Sequence, residues 1–254
     1  MRWRKLGQLL DPTGAARWMQ THAALPIARH LEGDRFVVYC SGRDAEGRAQ
    51  IGAVEVALGD SPRVLRVASE PLVRFGSVGT YDDRGILTSA LVPDGDRLVM
   101  YTTGVMLGVT VPFYYAIGAA TSGDGGATWD KCGIAPLLDR TPGEPYLLIA
   151  SPYVLRDEGR WRMWYMSAAR WELENDAPKH YYRICYAESP DGFTWQRPGT
   201  IAIDFVENEY AISRPSVVRD PDCYRMWYAC RGAAYRIGYA ESHDGISWIR
   251  KDAE

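Results

Sequence analysis

An all-β chain assembled from one repeated four-stranded unit is what the sequence predicts, and two observations carry that prediction. The stretch Ile149-Ala-Ser-Pro-Tyr-Val-Leu-Arg-Asp157, followed by Trp161-Arg-Met-Trp-Tyr165, returns almost unchanged as Ile212-Ser-Arg-Pro-Ser-Val-Val-Arg-Asp220, followed by Tyr224-Arg-Met-Trp-Tyr228. Pro152 and Pro215 lie 63 residues apart, and the same step backwards reaches Ser89 and then Pro26. Tyr39, Tyr101, Tyr165 and Tyr228 keep time with it, at intervals of 62, 64 and 63. A fixed period of this length sets the architecture before any single residue does.

The third unit shows the elements most clearly. Leu147 to Leu155 is an apolar run short enough for a buried strand. Arg156-Asp-Glu-Gly159 is a turn that ends on glycine, and Trp161 to Ser167 is a second strand. A polar loop is expected from Ala168 to Lys179, then a third strand at Tyr182–Glu188. Ser189-Pro-Asp-Gly192 forms a hairpin turn, and a fourth strand is expected to start at Phe193-Thr-Trp-Gln196. Four antiparallel strands in about 60 residues, repeated, is the sequence form of a β-propeller blade. The turn between strands three and four recurs: Ser122-Gly-Asp-Gly-Gly-Ala-Thr-Trp129 has the spacing of the Asp-box, and Ser189–Trp195 and Ser242–Trp248 are one residue shorter. Aspartate and glycine make the turn, and the tryptophan is placed to pack between neighbouring blades.

The units run approximately over 20–80, 81–143, 144–206 and 207–254, in one domain of 1–254. The next inner strand would fall near residue 278, past Glu254, so a fifth unit is expected to be absent or incomplete. Residues 1–12 read as an outer strand that could complete the last blade.

Composition narrows the function classes. A net charge of -3 with no long run of one sign argues against nucleic acid or an acidic membrane surface as the main partner. No apolar run approaches a membrane span, and the N-terminal ten residues lack the apolar core of a signal peptide. Five cysteines, scattered and without a C-x-x-C pair, read as reduced thiols in a cytoplasmic protein rather than a zinc site or a disulfide frame.

The two ends of the blades differ. The 1–2 and 3–4 turns are short and stereotyped. The other end carries irregular links into the inner strands: Trp18–His22, Gly79–Asp83, Thr141–Pro145 and Val206–Tyr210. There, too, lie the ends of the second strands, with Ser41-Gly-Arg43, Ala168-Ala-Arg-Trp171 and Cys230-Arg-Gly232. Acids, arginines and aromatics are thus predicted to converge at the mouth of a central tunnel, where loops on a rigid frame carry function. Asp82/Asp83, Glu144 and Glu209 hold equivalent places in three successive units. The apolar loop Gly104–Phe113 lies at the same end and could line a pocket or meet another subunit.

The period, the inner-strand proline, the R-M-W-Y second strand and the Y-A-E-S-x-D-G-x-x-W closing segment resemble the five-bladed propellers of the glycoside hydrolase 43/32/68/130 group. G-T-x-D-D, E-P-Y and E-Y-A-I-x-R-P-S segments resemble an uncharacterised glycosyl hydrolase-like branch of it. The resemblance implies three carboxylates around the tunnel, one usually just before the inner-strand proline. Here those positions are Leu25, Thr88, Ser151 and Arg214, and none is an acid.

The expectation is therefore a probable glycosidic-bond enzyme, a hydrolase or phosphorylase, with the acids supplied from the links. Glu209 is assigned as general acid and Asp83 as base or nucleophile, tuned by Asp82 or Glu144. His22, Arg43, Arg170, Arg214 and Arg231 would bind hydroxyls or an anionic group, and Trp171 and Tyr210 would stack on a sugar face. The partner is a saccharide or an anionic sugar derivative. The alternative is a non-catalytic glycan-binding or scaffold propeller, which the missing inner-strand acid supports. No cofactor is expected and no metal ligands are assigned, although the tunnel could hold a structural ion; oligomerisation is left open.

Overall fold

The computed structural model describes residues 7–252. Sixteen strands and no helix make up the described residues. They fall into four antiparallel meanders. The first is β1 (Ala24–Glu32), β2 (Arg35–Arg43), β3 (Ala49–Ala57) and β4 (Arg63–Val67). The second is β5 (Gly85–Asp94), β6 (Arg97–Leu107), β7 (Phe113–Ser122) and β8 (Asp130–Lys131). The third is β9 (Ile149–Asp157), β10 (Arg160–Glu174), β11 (Ala177–Ser189) and β12 (Ile201–Ile203), and the fourth β13 (Ala211–Arg219), β14 (Tyr224–Arg231), β15 (Tyr235–Ser242) and β16 (Ile249–Arg250). Single parallel pairs, Ala49 with Gly85 and Tyr182 with Ala211, fuse the meanders into two mixed eight-stranded sheets.

The core lies between meanders rather than within a sheet. Val99, Tyr101 and Ile117 of the second pack on Val154, Trp161 and Met163 of the third. Trp164 and Tyr186 of the third pack with Val217, Tyr224 and Met226 of the fourth. The three Ser-x-Asp turns stitch these interfaces. Asp124 accepts the Thr128 hydroxyl and the amides of Thr128 and Ala127, which holds its carboxyl below the usual range, and Asp191 and Asp244 accept the equivalent amides. Trp129 then sits edge-on to Tyr39 of the preceding meander at 5.6 Å, Trp195 to Tyr101 at 5.9 Å and Trp248 to Trp164 at 6.0 Å. Hydrogen bonds reinforce the last two interfaces, from the Tyr101 hydroxyl to the Gly192 carbonyl and from the Trp164 indole to the Gly245 carbonyl.

Three local expectations need correction. The segment 168–179 is not a loop: β10 and β11 stay paired, apart from one bulge near Ala169, out to Glu174–Ala177. Asn175 and Asp176 turn the arm with φ of 51° and 61°, the left-handed pair that a tight two-residue hairpin requires and that these residue types tolerate. The fourth strand of the third meander lies at 201–203, and Gln196 makes only a lone bridge to Glu188. Of the outer strand expected over 1–12, the first six residues lie outside the described residues. Residues 7–12 adopt no strand, and the last meander has its own outer strand in β16.

Each inner strand carries a register break at the same place, at Ala24/Ile27, Thr88/Ala90, Ala150/Tyr153 and Ser213/Ser216. Leu25, Ser151 and Arg214 stand in these bulges with φ of 58°, 51° and 53°. A left-handed backbone is unfavourable for branched and bulky side chains, the more so before proline, and persists only where the surroundings impose it.

Candidate functional site

The bulged segments of the four inner strands wall a cavity of about 480 Å³. Its lining is Leu25–Ala28, Thr88–Leu91, Ser151 with Tyr153–Leu155, and Arg214–Ser216. The four residues that precede or match the inner-strand proline therefore all reach this space. Bulges re-aim side chains in this way. None of Asp82, Asp83, Glu144 or Glu209 lines it.

Three of those acids are clipped to cations instead. Asp82 is fully buried and takes Lys131 Nζ at 2.8 Å and the Thr80 hydroxyl at 3.0 Å. Glu144 receives the Tyr165 hydroxyl on both oxygens at 3.0 Å and Arg197 Nη1 at 3.1 Å. Glu209 receives Arg250 on both oxygens and Arg236 at 2.9 Å. In each case the acid sits on the link entering a meander, and the cation on the outermost strand of that meander or just before it. The first meander replaces the ion pair with an indole: Trp18 Nε1 donates to the Ala68 carbonyl at 2.8 Å, just past β4. The equivalence noted in the sequence thus reflects a repeated fastening of link to outer strand.

Asp83 differs. It is half-buried, accepts the Gly79 amide at 3.0 Å, and has no cation within ion-pair distance among the described residues. For Glu209, burial alone would raise the carboxyl, but the hydrogen bonds from Arg250 and the Val206 amide and the charges of Arg250 and Arg236 outweigh it and hold it below its ordinary range. That is the opposite of the shift a general acid needs.

The assigned binding residues divide into two groups. Of the three mouth arginines Arg43, Arg214 and Arg231, Arg214 lines the cavity. Arg214 and Arg43 both act on the Tyr115 phenol, and Arg231 and Arg214 both act on Tyr182. Burial raises both phenols, Tyr182 to about 12, so they stay neutral donors at ordinary pH. Arg231 lies over the rings of Tyr210, at 5.4 Å, and Tyr235, at 4.7 Å.

Trp171 and Arg170 belong to the arm instead. Arg170 pairs with Glu172 at 2.6 Å and stacks on Tyr181 at 3.9 Å. Trp171 leans on Phe113 and His180, and His180 stacks flat on Tyr182 at 5.0 Å. The beginning of the loop Gly104–Phe113 is the end of β6, and Phe113 packs against this arm. His22 is exposed and bonds its neighbour Thr21 at 2.7 Å.

Sequence reasoning missed Tyr115, Tyr182, Tyr235 and His180. Tyr115 and Tyr182 hold matching positions at the start of third strands, each amide bonded to the carbonyl of the following link. The repeat alignment contained that signal. It also missed Lys131, Arg197 and Arg250.

Glu209, Cys230 and Asp252 bring ligand atoms within 4.8 Å of one another. The Arg250 guanidinium already joins Glu209 to Asp252, with its 2.8 Å contact to the latter, and burial pushes the Cys230 thiol up, away from the thiolate a metal would need. The residues present form an ion-pair network.

With this geometry in place, the comparisons define the fold: it is the β-propeller fold that several solved glycoside hydrolases share. A thermostable family-43 glycoside hydrolase matches with a TM-score of 0.66 at 17% identity, over 90% of this chain and 72% of that one. A Bombyx mori GH32 β-fructofuranosidase mutant, in complex with sucrose, matches with a TM-score of 0.64 at 16% identity over 89% of this chain, which spans about half, 48%, of the enzyme's length. Zg3597, a family 117 glycoside hydrolase of Zobellia galactanivorans, gives 0.63 at 11% identity, over 89% and 67% of the two chains. No protein-family model matches the chain.

More particularly, the chain belongs to the family of the Mycobacterium tuberculosis proteins described as "Uncharacterized protein Rv1502" (strain H37Rv) and "Uncharacterized protein MT1551" (strain CDC 1551). It is 41% identical to each over 249 residues, 98% of this chain and 82% of theirs.

Proposed function

We propose that this protein is carbohydrate-active and glycosidase-like, and that its saccharide enters the tunnel walled by the four inner strands. The observation that carries this reading is the 480 Å³ cavity at four bulged positions, three of them strained, on a fold shared with glycoside hydrolases. In finer terms, the four meanders are four blades of a five-bladed type, formed by units near 20–80, 81–143, 144–206 and 207–254 of a single domain. Of the four acids, Asp83 is the one left to act as base or nucleophile, while Asp82, Glu144 and Glu209 serve the fastening of the blades. No cofactor enters this reading. Five free cysteines fit a reducing, cytoplasmic setting. Among the described residues no helix is long and apolar enough to cross a membrane.

A second reading, glycan binding without cleavage, is favoured by one observation: three of the four acids are already neutralised by cations. Sugar release from a panel of oligosaccharides and aryl glycosides, measured beside binding, separates the two. The enzyme reading expects turnover that Asp83→Asn abolishes while binding survives. Binding without product supports the second reading, and a panel that neither binds nor reacts overturns both.

A further inference from the structure

We propose that Arg43, Arg214 and Arg231 form one oxyanion subsite at the tunnel mouth, which takes the carboxylate or phosphate group of a sugar. The proposal rests on the saccharide reading above and deepens it.

Among the described residues, none of the three has a carboxylate within ion-pair distance, whereas Arg197, Arg236 and Arg250 each hold one. The acids that could have neutralised the mouth are drawn away into the clips. None of the three has a protein counterion among the described residues that an anion would have to displace. Arg214 carries the clearest sign of this. It stands in a strained bulge and lines the cavity, solvent-exposed and with no carboxylate within ion-pair distance among the described residues. A guanidinium so placed is open to an incoming anion.

The neighbours are suited to the task. Tyr115, Tyr182 and Tyr235 offer hydroxyl groups that can donate to an oxyanion. Arg231 Nη1 touches the Tyr235 hydroxyl at 3.3 Å, and its stacking between two rings limits its freedom before any ligand arrives. Guanidinium groups match the paired oxygens of carboxylate and phosphate. The inner-strand position that holds arginine here is the one where the glycosidase resemblance leads one to look for an acid, so the local charge is reversed.

The test is calorimetric titration of the full chain with glucuronate, glucose 6-phosphate, inorganic phosphate and glucose, at low and high salt. The expected result is that the anionic sugars bind, weaken with salt, and lose roughly ten- to hundredfold in affinity in Arg214→Met and Arg231→Met. Inorganic phosphate that binds as tightly as the sugar phosphate supports the subsite and assigns it to a free anion. If anions bind but no sugar of any kind does, the subsite stands and the saccharide reading fails. Glucose binding as well as glucuronate, anion affinity unchanged in both variants, or no anion binding at millimolar concentration overturns the proposal. Should Arg214→Met fail to fold, Arg214→Lys and Arg43→Met test the same point, because Arg43 is exposed and its side chain makes no hydrogen bond among the described residues.

Discussion

Arg250 holds Glu209 with both terminal nitrogens, Nη1 to Oε2 at 2.8 Å and Nη2 to Oε1 at 3.0 Å, and so ties the link entering the fourth meander to that meander's outer strand. Glu209 is nearly buried, at 7% exposure, so removing it takes the counterion from Arg236 and leaves Arg250 with Asp252 alone. Glu209→Ala is expected to lower stability by about 3 kcal/mol, a fall in Tm of roughly 6–12 °C, measured by thermal unfolding. An unchanged Tm would remove the clip from the account of stability.

The same pair sets a pH dependence. The Glu209 carboxyl is held below its ordinary value of 4.5 in the folded chain, so its contribution is complete above that value and is lost as pH falls through the lower folded value. The Tm gap between the native chain and Glu209→Gln should be full at neutral pH and close progressively below about pH 4.5. A gap that widens in acid would contradict the assignment.

Asp82 is the most deeply buried of the clipped acids, and among the described residues Lys131 is its one ionic partner. Lys131→Met strands a buried carboxylate and should cost about 3–5 kcal/mol. Asp82→Asn combined with Lys131→Met should recover much of that loss, because no uncompensated charge remains. Equal loss in the single and double variants would mean that packing, not charge, is at work.

The first meander is fastened by Trp18, whose ring lies where a side chain on Gly52 would be: an added Cβ would come within 2.3 Å of it. Gly52→Ala should destabilise by about 1–3 kcal/mol through overpacking. A denaturant titration measures it, with an unchanged m-value expected.

The repeat was legible because side-chain burial along a strand is a local matter. The Pro26, Pro152 and Pro215 register and the Tyr39, Tyr101, Tyr165 and Tyr228 series each mark one strand that packs in the same way every time, and the strands appear where those residues place them. The arm at 160–189 was not legible. Its residues Ala168–Lys179 are polar enough for a loop, and only pairing across a two-residue turn, with Trp171 and His180 packed on Phe113, makes them strands.

The candidate site divides along the same line. The chain's own order predicts arginines, acids and aromatics at one end of the meanders, because that end follows from strand direction. It could not assign partners. Asp82, Glu144 and Glu209 look alike in sequence, yet the cations that claim them stand 49, 53 and 41 residues further on. Charge pairing depends on distance in space, and burial decides how strongly it acts. Only the folded arrangement brings Lys131, Arg197 and Arg250 onto the acids and leaves Arg43, Arg214 and Arg231 with no carboxylate within ion-pair distance among the described residues.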